Sequence, residues 1–281
     1  VDLEFPLPRR MVEQARRFAA DNEQPAEARL ASTVVLVRPA GSGYEAFAIE
    51  RVATMAFAAG MYAFPGGAVD PRDFPGDRST VPVETEWAGP PPAAWATRLG
   101  LDEGPAKAVL YAAVREVFEE SGVLLAGKDP TTVVGDVSGD DWEAARVALI
   151  ERRVGFAELL AERGLVPRTD LLAPWSRWVT PEFEPRRYDT YFFVAVLPTG
   201  QRTRDVGGEA AHTRWARPEE LFDGSLPMLP PTRSTLRQIG RYETVDALLA
   251  AAGARDAATP VRPRVEFDAD GNGTLVVPIG E

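Results

Sequence analysis

Apolar residues in this chain fall into two kinds of run. Residues 31–38, containing Ser32-Thr33-Val34-Val35-Leu36-Val37, and residues 44–51 are short, almost unbroken apolar stretches with Gly41-Ser42-Gly43 between them. That pattern predicts a buried β-hairpin. Residues 172–181 and 186–198 read the same way, the second carrying Tyr191-Phe192-Phe193-Val194-Ala195-Val196-Leu197. The other runs repeat at helical spacing. A long helix is predicted from Pro105 to Ser121, because Gly122 stands where a left-handed terminal residue belongs and Val123 follows it. Further helices are expected over 9–20, from an N-cap at Asp140 or Asp141 to about 153, over 156–163, from Pro218, and over 232–240 and 244–252. The loop Asp268-Ala269-Asp270-Gly271-Asn272-Gly273 predicts a closing hairpin; it lacks the twelve-residue frame of a calcium loop. Strands flanking one long helix imply the α/β class, an α/β/α sandwich with a mixed sheet.

Composition narrows the chemistry. The chain has 281 residues, 45% of them apolar, enough for one large domain with insertions. The absence of cysteine excludes disulfides, thiolate catalysis and cysteine-bound zinc, and fits a cytoplasmic protein. A single histidine, His212, rules out a histidine-rich metal site, so any metal would be held by oxygen ligands, which favours Mg²⁺ or Mn²⁺. A net charge of -11 argues against a nucleic-acid partner. No apolar run approaches the length of a membrane span, and Val1-Asp2-Leu3-Glu4-Phe5 does not resemble a signal peptide.

Chemistry concentrates at the end of the long helix, in Arg115-Glu116-Val117-Phe118-Glu119-Glu120-Ser121-Gly122-Val123. On a helix Glu116, Glu119 and Glu120 share one face and repel one another, and they lie in the last turn, where the dipole also disfavours acids. A divalent cation would relieve both penalties. Glu219-Glu220 is an ordinary acidic pair by comparison. Arg186 and Arg187, beside an aromatic at the start of a strand, are candidates for holding phosphate.

The nine-residue string matches R-E-U-x-E-E-x-G-U (U aliphatic) at every specified position, a chance event on the order of one in ten thousand for a chain of this length. It resembles the helical half of a Nudix box. The resemblance extends to Gly66-Gly67 after a short apolar strand, with Gly67 at the first box position and Asp73 where the first acid of G-x5-E is expected. About thirty-four residues then interrupt the box. Such an interrupted box, with Trp178-Val179-Thr180-Pro181 and Arg187-Tyr188-Asp189-Thr190-Tyr191-Phe192-Phe193, is similar to the branch that includes peroxisomal coenzyme A diphosphatases and their bacterial relatives.

The resemblance implies a Nudix domain over 30–230 with insertions at about 74–104 and 125–165, an N-terminal lead over 1–29, and a C-terminal helical and hairpin extension over 231–281. It implies Glu116, Glu119 and Glu120 as metal ligands together with the Gly67 backbone, Arg115 as their organiser, and Glu209 as a further ligand or general base. Arg51, Gly66 and Gly67 would face a small nucleotide diphosphate. Arg51, Gly60 and Phe64-Pro65-Gly66-Gly67 fit a coenzyme A element whose remaining positions hold Val52 and Ala56. Three readings follow: hydrolysis of coenzyme A or acyl-coenzyme A, hydrolysis of another nucleotide such as ADP-ribose or NADH, and a Nudix-fold ligand-binding module without turnover.

Overall fold

A computed structural model describes residues 3–21, 23–52, 60–74, 88–205, 210–223 and 225–278. The chain starts with strand β1 (Leu3–Pro6) and helix α1 (Arg9–Ala20), then enters the hairpin of β2 (Ala28–Ala40) and β3 (Gly43–Arg51). The two strands pair only from Val37↔Ala46 to Ala40↔Gly43. Below that point they splay. β4 (Tyr62–Ala63) follows β3, while β5 (Gly66–Ala68) slips into the gap and pairs with Ala31, Ser32 and Thr33 of β2.

Helices α2 (Pro92–Leu99) and α3 (Glu103–Ser121) come next. The pattern of prolines and glycines around 88–92 gave no expectation of α2, but Pro92 sits at a first helical position where its missing N–H costs nothing. The segment after α3 carries β6 (Ala126–Gly127), α4 (Asp140–Ile150), α5 (Phe156–Glu162) and β7 (Val166–Pro167). The N-cap of α4 is Gly139 rather than Asp140 or Asp141; both aspartates lie in the first turn, where their charge favours the dipole without capping it. β8 (Ala173–Val179), β9 (Arg187–Val196), β10 (Ala210–Ala216), α6 (Pro218–Phe222), α7 (Pro230–Ile239), α8 (Val245–Ala254), β11 (Pro260–Val261), β12 (Arg264–Phe267) and β13 (Gly273–Val277) complete the order.

The main sheet runs β10-β3-β2-β9-β8-β11, with β2 parallel to β9 and the other long pairs antiparallel. Its central strands are buried on both faces, which is why they read as unbroken apolar runs rather than alternating ones. Val34, Leu36, Tyr191 and Phe193 pack with α3 on one face; Val35, Val37, Phe192 and Val194 pack with α7, α8 and β13 on the other. Trp175 and Trp178 lie in the second core, as ordinary packing for such residues predicts. The result is the α/β/α sandwich with mixed sheet, helical insertions and C-terminal extension expected from the pattern. A second, three-stranded sheet, β1-β13-β12, joins the start of the chain to its last hairpin, with Leu3 opposite Val277. The pattern of residues 3–6 did not reveal it, because a four-residue strand is too short to show a period.

Candidate active site

Helix α3 is enclosed by the sheet, α2, α4 and α5, so its buried residues run around most of its circumference, from Ala106 to Ser121. Ser32, itself wholly buried on β2, donates its hydroxyl to the Val109 carbonyl at 2.5 Å and fixes the helix against the sheet. Gly122 takes the left-handed conformation (φ 71°) and its N–H closes the last turn onto the Phe118 carbonyl at 3.0 Å. Glu116, Glu119 and Glu120 thus stand in a rigid final turn, against the gap that β5 fills.

The glycine pair meets them there. Gly66 donates its N–H to Glu120 Oε2 at 2.9 Å. A β-carbon on Gly66 would collide with the Ser32 carbonyl and Thr33, and one on Gly67 would fall inside the Glu116 carboxylate. Close approach of backbone requires glycine at Gly66, whereas at Gly67 a side chain would displace the Glu116 carboxylate.

Arg115 organises the rest. Its Nε and Nη2 donate to the Asp73 carboxylate at 3.0 and 2.9 Å, Nη1 donates to Glu116 Oε1 at 2.7 Å and Glu119 Oε1 at 3.3 Å, and Nη2 also reaches the Ala68 carbonyl at 3.1 Å. Asp73 is 2% exposed. It ends a short 3₁₀ turn over Pro71–Asp73 in which Asp70 N–H donates to Asp73 and Arg72 N–H donates to Asp70. The acid at the G-x5-E position therefore faces the arginine that follows it forty-two residues later, across the interruption of the box.

Burial and mutual repulsion govern the charges. Burial pushes the Glu116 carboxyl up to about 7, although Arg115 beside it pulls the other way. Burial also raises Glu119, again opposed by Arg115. For Arg115 burial acts to lower the value, but Glu116, Asp73 and Glu119 outweigh it and hold the guanidinium firmly charged. A raised carboxyl favours the protonated form in the folded state, so its stabilising contribution is complete below the unfolded value of 4.5 and is lost as pH rises through about 7. In EDTA, Glu116→Gln is therefore expected to melt above wild type at about pH 8, and this difference should shrink as pH falls toward 4.5. A melting difference that stays constant across that range would refute the assignment.

Among the described residues no three acidic or histidine side chains stand close enough to cage an ion as placed here. Each carboxylate is held by a protein donor instead: Glu116 and Glu119 by Arg115, Glu120 by Gly66. The donor set nevertheless fits a hard divalent cation. It is all oxygen, and three carboxylates, Asp73, Glu116 and Glu119, face the buried guanidinium of Arg115, with Glu120 beside them on the Gly66 N–H. Glu116, Glu119 and Glu120 are the residues that could hold it.

The remaining candidates separate. Glu209 and Ala56 lie outside the described residues. Arg51 ends β3; its carbonyl accepts from Gly60 N–H and its own N–H donates to the Met61 carbonyl. Arg187 is buried at the start of β9, donating to the carbonyls of Ala26 at 2.6 Å and Thr180 at 3.2 Å. Arg186, one residue earlier, is exposed and lines a shallow depression of about 280 Å³ with Glu27, Arg29 and Tyr188. Arg187 spends two of its donors on backbone away from the glutamate row. His212 is exposed on β10. Residues missed by sequence reasoning, Arg146 of the 125–165 insertion and Arg204 after β9, reach the helix end from elsewhere in the chain, and neither carries a local signal of that contact.

The family model described as the NUDT19 Nudix domain matches residues 23–226, most of the chain. This chain belongs to the Nudix hydrolase family. Among curated proteins it is similar to the acyl-coenzyme A diphosphatase NUDT19 of Gallus gallus, 30% identical over 219 residues covering 64% of this chain and 56% of that protein. The Homo sapiens protein of the same name is 25% identical, covering 75% of this chain and 64% of that protein. The Nudix chain thus spans somewhat over half the length of these relatives. A solved Nudix hydrolase from Alicyclobacillus acidocaldarius superposes with a TM-score of 0.64 at 25% identity, covering 84% of this chain and 99% of that one. Nudix hydrolases as a group use divalent metal ions and act on small nucleotide derivatives.

Proposed function

We propose that this chain hydrolyses the diphosphate linkage of a nucleoside diphosphate derivative in a reaction that depends on Mg²⁺ or Mn²⁺, with coenzyme A or an acyl-coenzyme A as substrate. The observation that carries the reading is the convergence of Asp73, Glu116 and Glu119 on Arg115, beside two glycines whose backbone packs directly against the Glu116 and Glu120 carboxylates. Arg115 holds the carboxylates in register; a mere solvated acidic face would have no need of a buried guanidinium bonded to three of them.

A divalent ion bound there would neutralise phosphate charge and lower the pKa of an attacking water for in-line displacement at phosphorus. Glu116, Glu119 and Glu120 would be its ligands. Gly66 and Gly67 admit the diphosphate close to the backbone, and Glu209 is a candidate further ligand or general base. Exposed Arg186 is a candidate phosphate contact, with Arg187 holding its strand in place. The Nudix domain is taken to span 30–230, with the 231–281 extension packed on it.

The coenzyme A assignment draws on the printed activity of the NUDT19 relatives and on Arg51, Gly60 and Phe64-Pro65-Gly66-Gly67. Val52 and Ala56 depart from that element, which favours keeping ADP-ribose and NADH as the alternative. The test is a product assay with coenzyme A, acyl-coenzyme A, ADP-ribose, NADH and diadenosine polyphosphates, each with Mg²⁺ and with Mn²⁺. Release of 3',5'-ADP and a phosphopantetheine, with coenzyme A compounds preferred, is the expected result. Preference for ADP-ribose or NADH would overturn the substrate; hydrolysis of none would leave a ligand-binding module. Among the described residues no helix is long and apolar enough to cross a membrane, and a cysteine-free chain suits a cytoplasmic site.

A further inference from the structure

The last carbonyls of a helix lack partners within it and present the negative end of its dipole. In α3 that end coincides with the acidic row. Three of these carbonyls have acceptor roles outside the helix ladder or at its cap: Phe118 accepts from Gly122 N–H at 3.0 Å, Ser121 from Arg204 N–H at 3.0 Å, and Glu119 from Arg146 Nη1 at 2.7 Å. Arg146 belongs to α4 and is 3% exposed. Glu143, one turn earlier, accepts from its Nη2 at 2.5 Å and its Nε at 3.1 Å, and the same carboxylate faces Arg204 Nη1 at 3.3 Å.

The Arg204 guanidinium in turn lies against Gly122, close enough that a β-carbon there would meet its Nε at 2.7 Å. Two cations from outside the helix thus close on its final turn. The same insertion grips the other half of the site: Arg72 of the Gly67–Asp73 loop donates to the Val154 carbonyl, just before α5, at 3.2 Å.

We propose that Arg146 is a positioning residue for the metal-binding carboxylates, and that the insertion over 125–165 serves to deliver it. The proposal rests on the reading that Glu116, Glu119 and Glu120 hold a divalent ion. Arg146 acts on Glu119 through the main chain. It fixes the carbonyl of one ligand residue, and with it the direction in which that side chain leaves the helix. Its charge also offsets the helix end that would otherwise add to the repulsion among the glutamates. A residue that merely filled space would need neither a fork on Glu143 nor a bond to Glu119.

The test compares wild type with Arg146→Met and Arg146→Lys, measuring Mn²⁺ affinity by electron paramagnetic resonance without substrate, thermal melting, and kcat and KM on the substrate found by the product assay. Arg146→Met is expected to weaken Mn²⁺ binding and lower kcat, each by about 10–100-fold, as loss of a group that orients a ligand does, with KM changed by no more than about twofold. Arg146→Lys keeps the charge without the fork and should recover part of both. A folded Met variant with wild-type Mn²⁺ affinity and kcat overturns the proposal. Should that variant fail to fold, the Lys variant decides: wild-type values overturn it, and a severalfold weakening of Mn²⁺ binding supports it. If wild type itself binds no Mn²⁺ and cleaves no nucleotide, the parent reading falls and takes this one with it. Wild type that does both, with variants that match it, removes only the role of Arg146.

Discussion

Glu120→Gln is expected to lower turnover by on the order of a hundred- to a thousandfold while leaving the metal-free protein folded and melting close to wild type. The two halves of this expectation have separate causes. Glutamine keeps the side-chain length and an oxygen that can accept the Gly66 N–H, which lies 2.9 Å from Glu120 Oε2, so the tie between β5 and α3 survives. It also removes one charge from a row whose i,i+4 repulsion costs a few tenths of a kcal/mol, roughly. What it cannot replace is a negative ligand that acts chiefly on the transition state, and excess Mg²⁺ or Mn²⁺ should restore little. Glu119→Gln should behave alike in turnover. Glu219→Gln, on a side chain 62% exposed in the first turn of α6, should change neither quantity. Melting in EDTA and the rate of release of the nucleotide product, 3',5'-ADP for a coenzyme A substrate, on the same four proteins provide the check. Near-normal turnover with a large loss of stability would make the row structural.

Asp73→Ala is expected to be the most destabilising single change at the site. Arg115 is buried to 7% exposure and donates through Nε and Nη2 to the Asp73 carboxylate; without that acceptor it keeps its charge with neither solvent nor a full set of partners. Breaking one side of a buried pair costs about 3–5 kcal/mol, and in a domain of this size that lowers the melting temperature by on the order of 10 °C. Activity should fall as well, because Arg115 Nη1 would no longer be held toward Glu116 and Glu119. Arg115→Met with Asp73→Ala should recover only part of the stability and little of the activity, since the buried pair leaves together but Glu116 and Glu119 lose their guanidinium. Stability close to wild type in Asp73→Ala would show that Arg115 is carried by Glu116 and Glu119 alone.

The elements that were legible in the sequence are those with a period long enough to read. The hairpin, the two strands around Trp175 and Phe193 and the helix ending at Gly122 all combine a sustained apolar pattern with a chemical stop, and the structure places them close to the expected bounds. The acidic row was legible for the same reason: three glutamates at helical spacing before a left-handed glycine. Asp73 was legible only as a spacing from Gly67. That it meets Arg115 depends on a chain excursion closing in space, which no local pattern encodes. Arg187 was legible as a cation at a strand start but not as a holder of backbone. Two adjacent arginines at a strand start suggest a ligand, yet one of them spends its donors on the carbonyls of Ala26 and Thr180, because parallel strands β2 and β9 begin there side by side and leave backbone acceptors to satisfy. The N-cap of α4 was misplaced by two candidate aspartates for a related reason: both charges suit the first turn, so charge alone does not locate the cap.

The small sheet that sets Leu3 opposite Val277 has a consequence for the order of assembly. Residues 3–6 leave the ribosome long before residues 273–277 exist, so β1 must wait through synthesis of nearly the whole described chain for the strand that pairs with it. Helix α1 waits too, since Val12 packs over Gly273 and Arg16 donates to the Gly271 carbonyl. The thermodynamic cost of so wide a closure is small, because each doubling of a loop adds only about 0.6 kcal/mol. Its kinetic cost is larger, since pairings distant in sequence form late. The contacts that cap the acid-bearing helix, by contrast, reach no further along the chain than Arg204 on Ser121, so that helix can be seated and capped while the first strand is still unpaired.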